Sequence, residues 1–390
     1  VHAGQRVAAS TVLATLDDLE HVARTIGGAM GAPPPVDDGR LGGGSAFDLY
    51  LVPGDAVGLP GAAAVRDAAL PGRYDRASAF GLLRDDAPAG CVRRNLVART
   101  FASSVEWGLD AGDDPAVREA NAAYVAELVA PCAEVTSALI DDFQSQPERA
   151  LFHPNVGEDA ATSAIFPWYL DVQLGRAAPG GVPLALVAIG AQGTPREHAG
   201  FWDNEPDLWD VLRSTLPTRT PPTALDDLWM DFAVTRLFVG ARDDGLHFPE
   251  TAFSGTFGRV RFDWRLPFAT LPRRVAPERA IEPTGSTYVF VGLDRAPPGA
   301  RLAFRMEWEA PVVFRWALVR IRPDGSEASR VMVTPEMKST SAEKSLEDLD
   351  GLAGIAVVGV NVGDLRPSEP FDLDAKPYES HGYVLTVAAP

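Results

Sequence analysis

Apolar residues recur at helical spacing from the start of the chain. Val12, Leu13, Leu16, Leu19, Val22, Ala23 and Ile26 predict an amphipathic helix, opened by Ser10-Thr11 and closed at Gly27-Gly28. Pro33-Pro34-Pro35 then imposes extended backbone. Beyond a Gly-rich turn, Ala46 to Val52 reads as a short strand stopped by Pro53-Gly54. Residues 55 to 75 are rich in Ala, Gly and Pro and read as loop, with a second strand at Ala79 to Leu83. Helical patterning follows over Val92 to Trp107, then from Pro115, in the first helical position, to about Ala130. Further helices are expected at Glu134 to Phe143, Ala160 to Gly175, Pro206 to Leu216 and Ala224 to Val239. Thr218 to Pro222 is a Pro/Thr linker, but helical patterning resumes after it, which keeps everything to about residue 275 in one region.

From about residue 281 the period falls to two. Leu302, Phe304, Met306 and Trp308 alternate with Arg301, Ala303, Arg305 and Glu307, as in a half-buried strand. Val312 to Arg322, Ala328 to Thr334, Thr287 to Gly292, Gly354 to Val362 and Gly382 to Ala388 supply more strands, with Pro323-Asp324-Gly325-Ser326 as a turn. The expected architecture is α+β: a first region over 1–275, strand-rich at its start and helical from about 92, then a C-terminal antiparallel β-sandwich over 281–390.

Composition narrows the function classes. Fifty-three acids against 35 bases give a net charge of -18, which argues against phosphate-neutralising nucleic-acid binding and against docking on anionic lipid. No apolar run reaches the ~20 residues of a membrane-spanning helix; the longest, Val182 to Ala191, contains Pro183 and Gly190. The sequence opens on Val1 without a basic-then-apolar leader, as a processed precursor or a trimmed product would.

The usual catalytic signatures are missing. The six histidines (His2, His21, His153, His198, His247 and His381) include no i,i+4 pair, so there is no HExxH. There is no CxxC, nucleophile elbow, Walker loop or GxGxxG either. Acidic clusters such as Asp203-Asn204-Glu205, Asp226-Asp227-Asp231 and Asp243-Asp244 lack the calcium-loop spacing and read as solvated charge. Asp203 and Asn204 are expected to cap the helix that opens at Pro206. The aromatic residues Phe166, Trp168, Tyr169, Phe201, Trp202, Trp209 and Trp229 could form a carbohydrate platform, with core packing as the default.

The stretch Leu96 to Asp110 (LVARTFASSVEWGLD) resembles the zinc helix of secreted zincin-type metallopeptidases of myxobacteria-like bacteria. In that family the helix carries a His-Glu-x-x-His core and an Ala-Val-aromatic-Gly-x-Asp tail. Val117 to Glu127 resembles the family's next helix, which supplies a glutamate as third zinc ligand, and Ala164 to Leu170 is similar to the helix after that. The Asp48 to Leu51 strand and the terminal sandwich also fit, so the resemblance extends over nearly the whole chain. It implies a zincin-like first domain with its site degraded. Arg99 stands at the first zinc histidine, Thr100 at the catalytic glutamate and Ser103 at the second histidine, leaving only Glu119 as a matching ligand. Arginine has no lone pair to give, serine is a poor zinc ligand and threonine cannot act as a carboxylate base.

Two structural expectations follow from the resemblance. Glu119, if it still points inward, needs a partner, and Arg99 would supply a guanidinium where zinc once supplied charge; the alternative is two separately solvated side chains. Cys91 and Cys132 bracket the helical hairpin, so a disulfide would join its open ends and fit an oxidising compartment; two buried free thiols are the alternative.

The expected protein is thus secreted, periplasmic or cell-surface, catalytically inactive and without a cofactor. It would act on an unknown protein or glycan partner, or by self-association, with no nucleic-acid or membrane-spanning role. Two other functions remain open: a hydrolase whose metal is held by Glu119 with acids or His153 brought in from elsewhere, and a carbohydrate-binding surface protein.

Overall fold

The computed structural model describes residues 1–39, 42–54, 61–70, 75–152, 161–174, 180–181, 185–186, 206–218, 222–248, 258–333, 335, 339–364 and 379–390. The fold is α+β, and the chain divides into two compact units. One comprises Val1–Ile140 and Phe152–Thr220, the other Asp141–Leu151 and Pro221–Pro390.

In the first unit, strands β1 (His2–Ala3), β2 (Leu49–Val52), β3 (Ala62–Ala69) and β4 (Ala77–Arg84) form a sheet in the order β1-β2-β4-β3. β2 runs parallel to both β1 and β4, while β3 pairs antiparallel with β4. Helices α1 (Ala9–Ala29), α2 (Cys91–Leu109) and α3 (Pro115–Val129) complete this core. Leu19, Val22 and Ile26 of α1 lie with Leu49, Leu51 and Leu83 of the sheet and Val97, Phe101 and Val105 of α2 in one apolar cluster. The apolar face of α1 is narrower than its spacing predicts, because Leu13 is 63% exposed. The helix also starts at Ala9 with no side-chain cap, so Ser10-Thr11 does not act as one. At the start of α3, Asp114 accepts a hydrogen bond from Ala116 N–H and Pro115 occupies the first turn, where its missing donor costs nothing.

Helices α4 (Ala133–Ser145), α5 (Ile165–Leu174) and α6 (Leu208–Thr215) follow, with the last turn of α4 belonging to the second unit. The N-cap of α6 is Asp207, whose carboxylate accepts from Asp210 N–H. Asp203 and Asn204, expected in that role, lie outside the described residues, as do Phe201, Trp202, His153, His198 and most of the Val182–Ala191 run.

Among its described residues the second unit holds nine strands and helix α7 (Leu225–Thr235). One sheet has the order β10-β9-β12-β7-β5, with β5 (Trp264–Pro267), β7 (Ser286–Gly292), β9 (Val312–Ile321), β10 (Glu327–Val333) and β12 (Gly354–Asp364). The other has the order β11-β8-β13-β6, with β6 (Arg273–Val275), β8 (Leu302–Trp308), β11 (Ser341–Leu346) and β13 (Tyr383–Ala388). Residues of both sheets share one buried apolar cluster that includes Val289, Phe304, Met306, Phe314, Trp316, Val357 and Leu385. The alternation over 302–308 does set which side faces that cluster, since Leu302, Phe304, Met306 and Trp308 are buried.

The division falls at residue 221 and not near 275, so Thr218–Pro222 is a true boundary. The reason is that α7 packs against β12 and β9: the Tyr288 hydroxyl donates to Ala233 O at 2.7 Å, and Asp226 pairs with Arg315. An early segment, Asp141–Leu151, also belongs to this unit. Gln144 donates to Arg236 O and Gly258 O and accepts from Arg236 Nε, while Glu148 pairs with Arg261 and Arg279 at 2.8 and 2.7 Å. The buried Arg236 guanidinium lies over the Phe143 ring, 4.1 Å from its centre.

Candidate functional site

The α2–α3 hairpin carries the positions that the sequence singles out. Arg99 reaches across to Glu119, with Nη2 2.8 Å and Nε 3.2 Å from Oε2, so the expected ion pair is present. The side chains are only 10% and 19% exposed. The Ser103 hydroxyl donates to the other oxygen, Oε1, at 3.2 Å. Positions 99 and 103 lie one turn apart on α2 and therefore meet the same carboxylate on α3. Both oxygens of Glu119 are thereby engaged by donors.

Thr100 takes no part in this contact. It is 1% exposed, its hydroxyl donates to Leu96 O at 2.8 Å, and its methyl lies against Gly81 of β4. An added Cβ at Gly81 would come within 2.6 Å of that methyl, so glycine lets the strand approach the helix closely.

The open end of the hairpin is closed by the Cys91–Cys132 disulfide, with 5.2 Å between Cα atoms. Asn95 reinforces it by donating to Ala130 O at 3.0 Å. Arg93 and Arg94 both pair with the buried carboxylate of Asp18, which ties α2 to α1. Tyr124 on α3 donates to Asp171 of α5 at 2.6 Å.

The bend of the hairpin holds a group that the sequence reading did not single out. Glu106, Asp110, Asp113 and Arg118 are all at least nine-tenths buried. Burial, with Asp113 nearby, pushes the Glu106 carboxyl well above the usual range, and burial with Asp110 nearby does the same to Asp113. Asp110 is pushed up to about 6 by burial, against the Gly112 N–H that its carboxylate accepts. Arg118 lies 3.7 Å from the centre of the Trp107 ring. The available signal was the density of acids in EWGLDAGDDP between two apolar helices, where a tight bend leaves little room for all of them to reach water.

Among the described residues, no group of three or more His, Cys, Asp and Glu side chains is arranged to hold a metal ion. The described histidines that contact carboxylates do so elsewhere: His2 with Asp48, His247 with Asp244 and Glu327, and His381 with Glu309. Phe166, Trp168, Tyr169, Trp209 and Trp229 are all buried and serve as core, so these five form no exposed glycan platform. No described helix is long and apolar enough to cross a membrane.

No family model matches the chain, and no curated protein matches it. Among solved structures, the pre-peptidase C-terminal domain of a collagenase from Bacillus anthracis aligns over 33% of this chain and 96% of its own, at 9% identity and a TM-score of 0.21. The Yersinia pseudotuberculosis-derived mitogen aligns over 31% of this chain and 88% of its own, at 12% identity and a TM-score of 0.21. Likeness at that level assigns neither protein's activity to this chain.

Proposed function

We propose that this chain is an exported, catalytically inactive relative of zincin metallopeptidases, with a peptidase-like first unit and a β-sandwich in the second, acting through binding or assembly surfaces. The observation that carries the reading is the engagement of Glu119. A guanidinium cannot donate a lone pair to a metal, and here it occupies the one surviving ligand of the resemblance. With the Ser103 hydroxyl donating to the second oxygen, both oxygens of Glu119 face hydrogen-bond donors. The disulfide supports an oxidising destination.

Elemental analysis of the purified chain tests the reading. Wild type is expected to carry no stoichiometric zinc; one zinc per chain would overturn the inactive reading in favour of a hydrolase with a non-standard site. The double variant R99H/S103H places two imidazoles at i,i+4 opposite Glu119 and is expected to take up one zinc. A correctly folded double variant with no affinity for zinc would remove the link to a zinc-helix ancestor.

A further inference from the structure

His247 lies in the second unit, between two carboxylates that come from different elements. Its Nδ1 is 2.9 Å from Asp244 Oδ1 and its Nε2 2.8 Å from Glu327 Oε2, the latter on β10 at the edge of its sheet. The imidazole is stacked on Phe238, with ring centres 4.2 Å apart, and its side chain is only 9% exposed. Asp244 also receives the backbone N–H of Glu327 on Oδ2, at 3.3 Å, and that of Leu246 on Oδ1, at 3.0 Å. The side chains of Asp244 and His247 therefore fasten the 243–248 segment to the start of an edge strand.

The charges around the imidazole are unevenly matched. Arg330, on the same strand, pairs with Glu327 at 2.7 Å and with Asp231 of α7 at 2.8 Å. Its Nη2 is also 3.0 Å from His247 Nε2. Arg330 thus serves Asp231 and Glu327 together, and a proton on the imidazole places a second cation beside Glu327 and Asp244. A neutral imidazole has one N–H and can satisfy only one of its two carboxylates. With the proton on Nε2, the Nδ1 lone pair faces Asp244 Oδ1, which is repulsive. With it on Nδ1, the Nε2 lone pair faces Glu327 Oε2 and has as donor, among the described residues, only Arg330 Nη2, which Glu327 already shares.

We infer that His247 is a protonation-dependent latch: as an imidazolium it clamps segment 243–248 onto the start of β10, and on losing its proton it loosens that cover. The cover matters because an edge strand presents unpaired backbone groups to other chains, and Glu327 N–H is one that Asp244 occupies. Burial alone lowers the affinity of the imidazole for its proton. The hydrogen bonds to Glu327 and Asp244 outweigh burial and set its pKa above the ordinary 6.5. Reciprocally, Glu327 is held down at about 2 against its own burial, by His247 and Arg330. A group whose folded pKa is raised stabilises the closed form fully below its free value and loses that contribution as pH rises through the folded value. The latch is therefore closed below 6.5 and loosened as pH rises through the raised folded value.

Hydrogen exchange on the full chain, corrected for intrinsic rates, tests this between pH 5.5 and 8.5. Protection of the Glu327 and Leu246 amides is expected to fall at least tenfold across that range in wild type, while amides in β12 stay constant. In H247Q, which carries no titrating proton, protection should be low and independent of pH. Histidine NMR on wild type gives a second readout that does not depend on the variant folding: a midpoint above 6.5, moving down in E327Q. Flat wild-type protection, a pH-dependent H247Q, or a midpoint at or below 6.5 would each overturn the inference.

Discussion

Arg99 and Glu119 form an ion pair across α2 and α3 at 2.8 Å, largely screened from water on both sides. Such a pair costs more when halved than when absent, because truncation leaves a charge with no partner in a poorly solvated place. R99A is expected to destabilise the chain by about 2 kcal/mol, whereas R99M/E119L should lie within about 1 kcal/mol of wild type. Urea unfolding of R99A and R99M/E119L checks this. A double variant as unstable as R99A would mean that the pair does more than neutralise Glu119.

The disulfide closes a loop with a sequence separation of 41. On the chain-entropy argument it contributes about 4 kcal/mol. Cys91 is solvent-exposed, so a reductant has access. Reduction, or C91S/C132S, is expected to lower the urea midpoint of the first unit and leave that of the second unchanged. Unchanged stability after verified reduction would show that Asn95 and the helix interface hold the hairpin without the bond.

Stability should depend on pH at the hairpin bend. Asp110 stands at about 6 when folded against 3.8 when free, so the folded state holds its proton more tightly. That contribution is full below about 3.8 and is lost as pH rises through about 6, amounting to at most about 3 kcal/mol. D110N keeps an oxygen for Gly112 N–H but has no proton to lose. The difference between D110N and wild type, followed by denaturant midpoints from pH 4 to 7, should grow in favour of D110N. Parallel curves would refute a buried, proton-retaining Asp110.

Gly359 of β12 allows Trp316 of β9 to lie flat across the sheet. An added Cβ would come within 2.5 Å of Trp316 Cζ3 and 2.9 Å of Thr287 Cγ2. G359A is expected to cost about 1–3 kcal/mol and to change the near-UV signal of the indole. At Gly292 the added Cβ meets only Phe290, at 3.6 Å, so G292A serves as the tolerated comparison.

The helical hairpin and strands β7, β8, β9, β10, β12 and β13 were legible from their apolar patterning. β3 was not. Ala62–Ala69 is mostly alanine, and it becomes a strand only because β4 offers it a partner. β11 was missed for a related reason: Ser341–Leu346 is a polar strand that, among the described residues, pairs only with β8. Residues Leu225–Thr235 read correctly as helix, but nothing in their period says which sheet they cover. At the site, the Arg99–Glu119 pair was expected and is present, whereas the Ser103 contact to the same carboxylate was not anticipated. It gave no hint of Glu106 or Asp113, because a carboxylate's identity does not reveal whether it reaches water.

The threading of Asp141–Leu151 sets an order of events during synthesis. Its side-chain partners lie 92 to 133 residues further along the chain, from Arg236 through Arg261 and Arg279 to Glu282 and Thr284. At the pace of a ribosome, the strip waits on the order of ten seconds before its last partner emerges. The second unit is therefore sealed around a piece made long before it, and a nascent chain halted before residue 258 leaves Gln144 without Gly258 O and Glu148 without Arg261 and Arg279. A gene fragment starting at residue 221 has the opposite defect: it encodes both sheets but omits the strip whose Glu148 pairs with Arg261 and Arg279 and whose Gln144 holds Arg236.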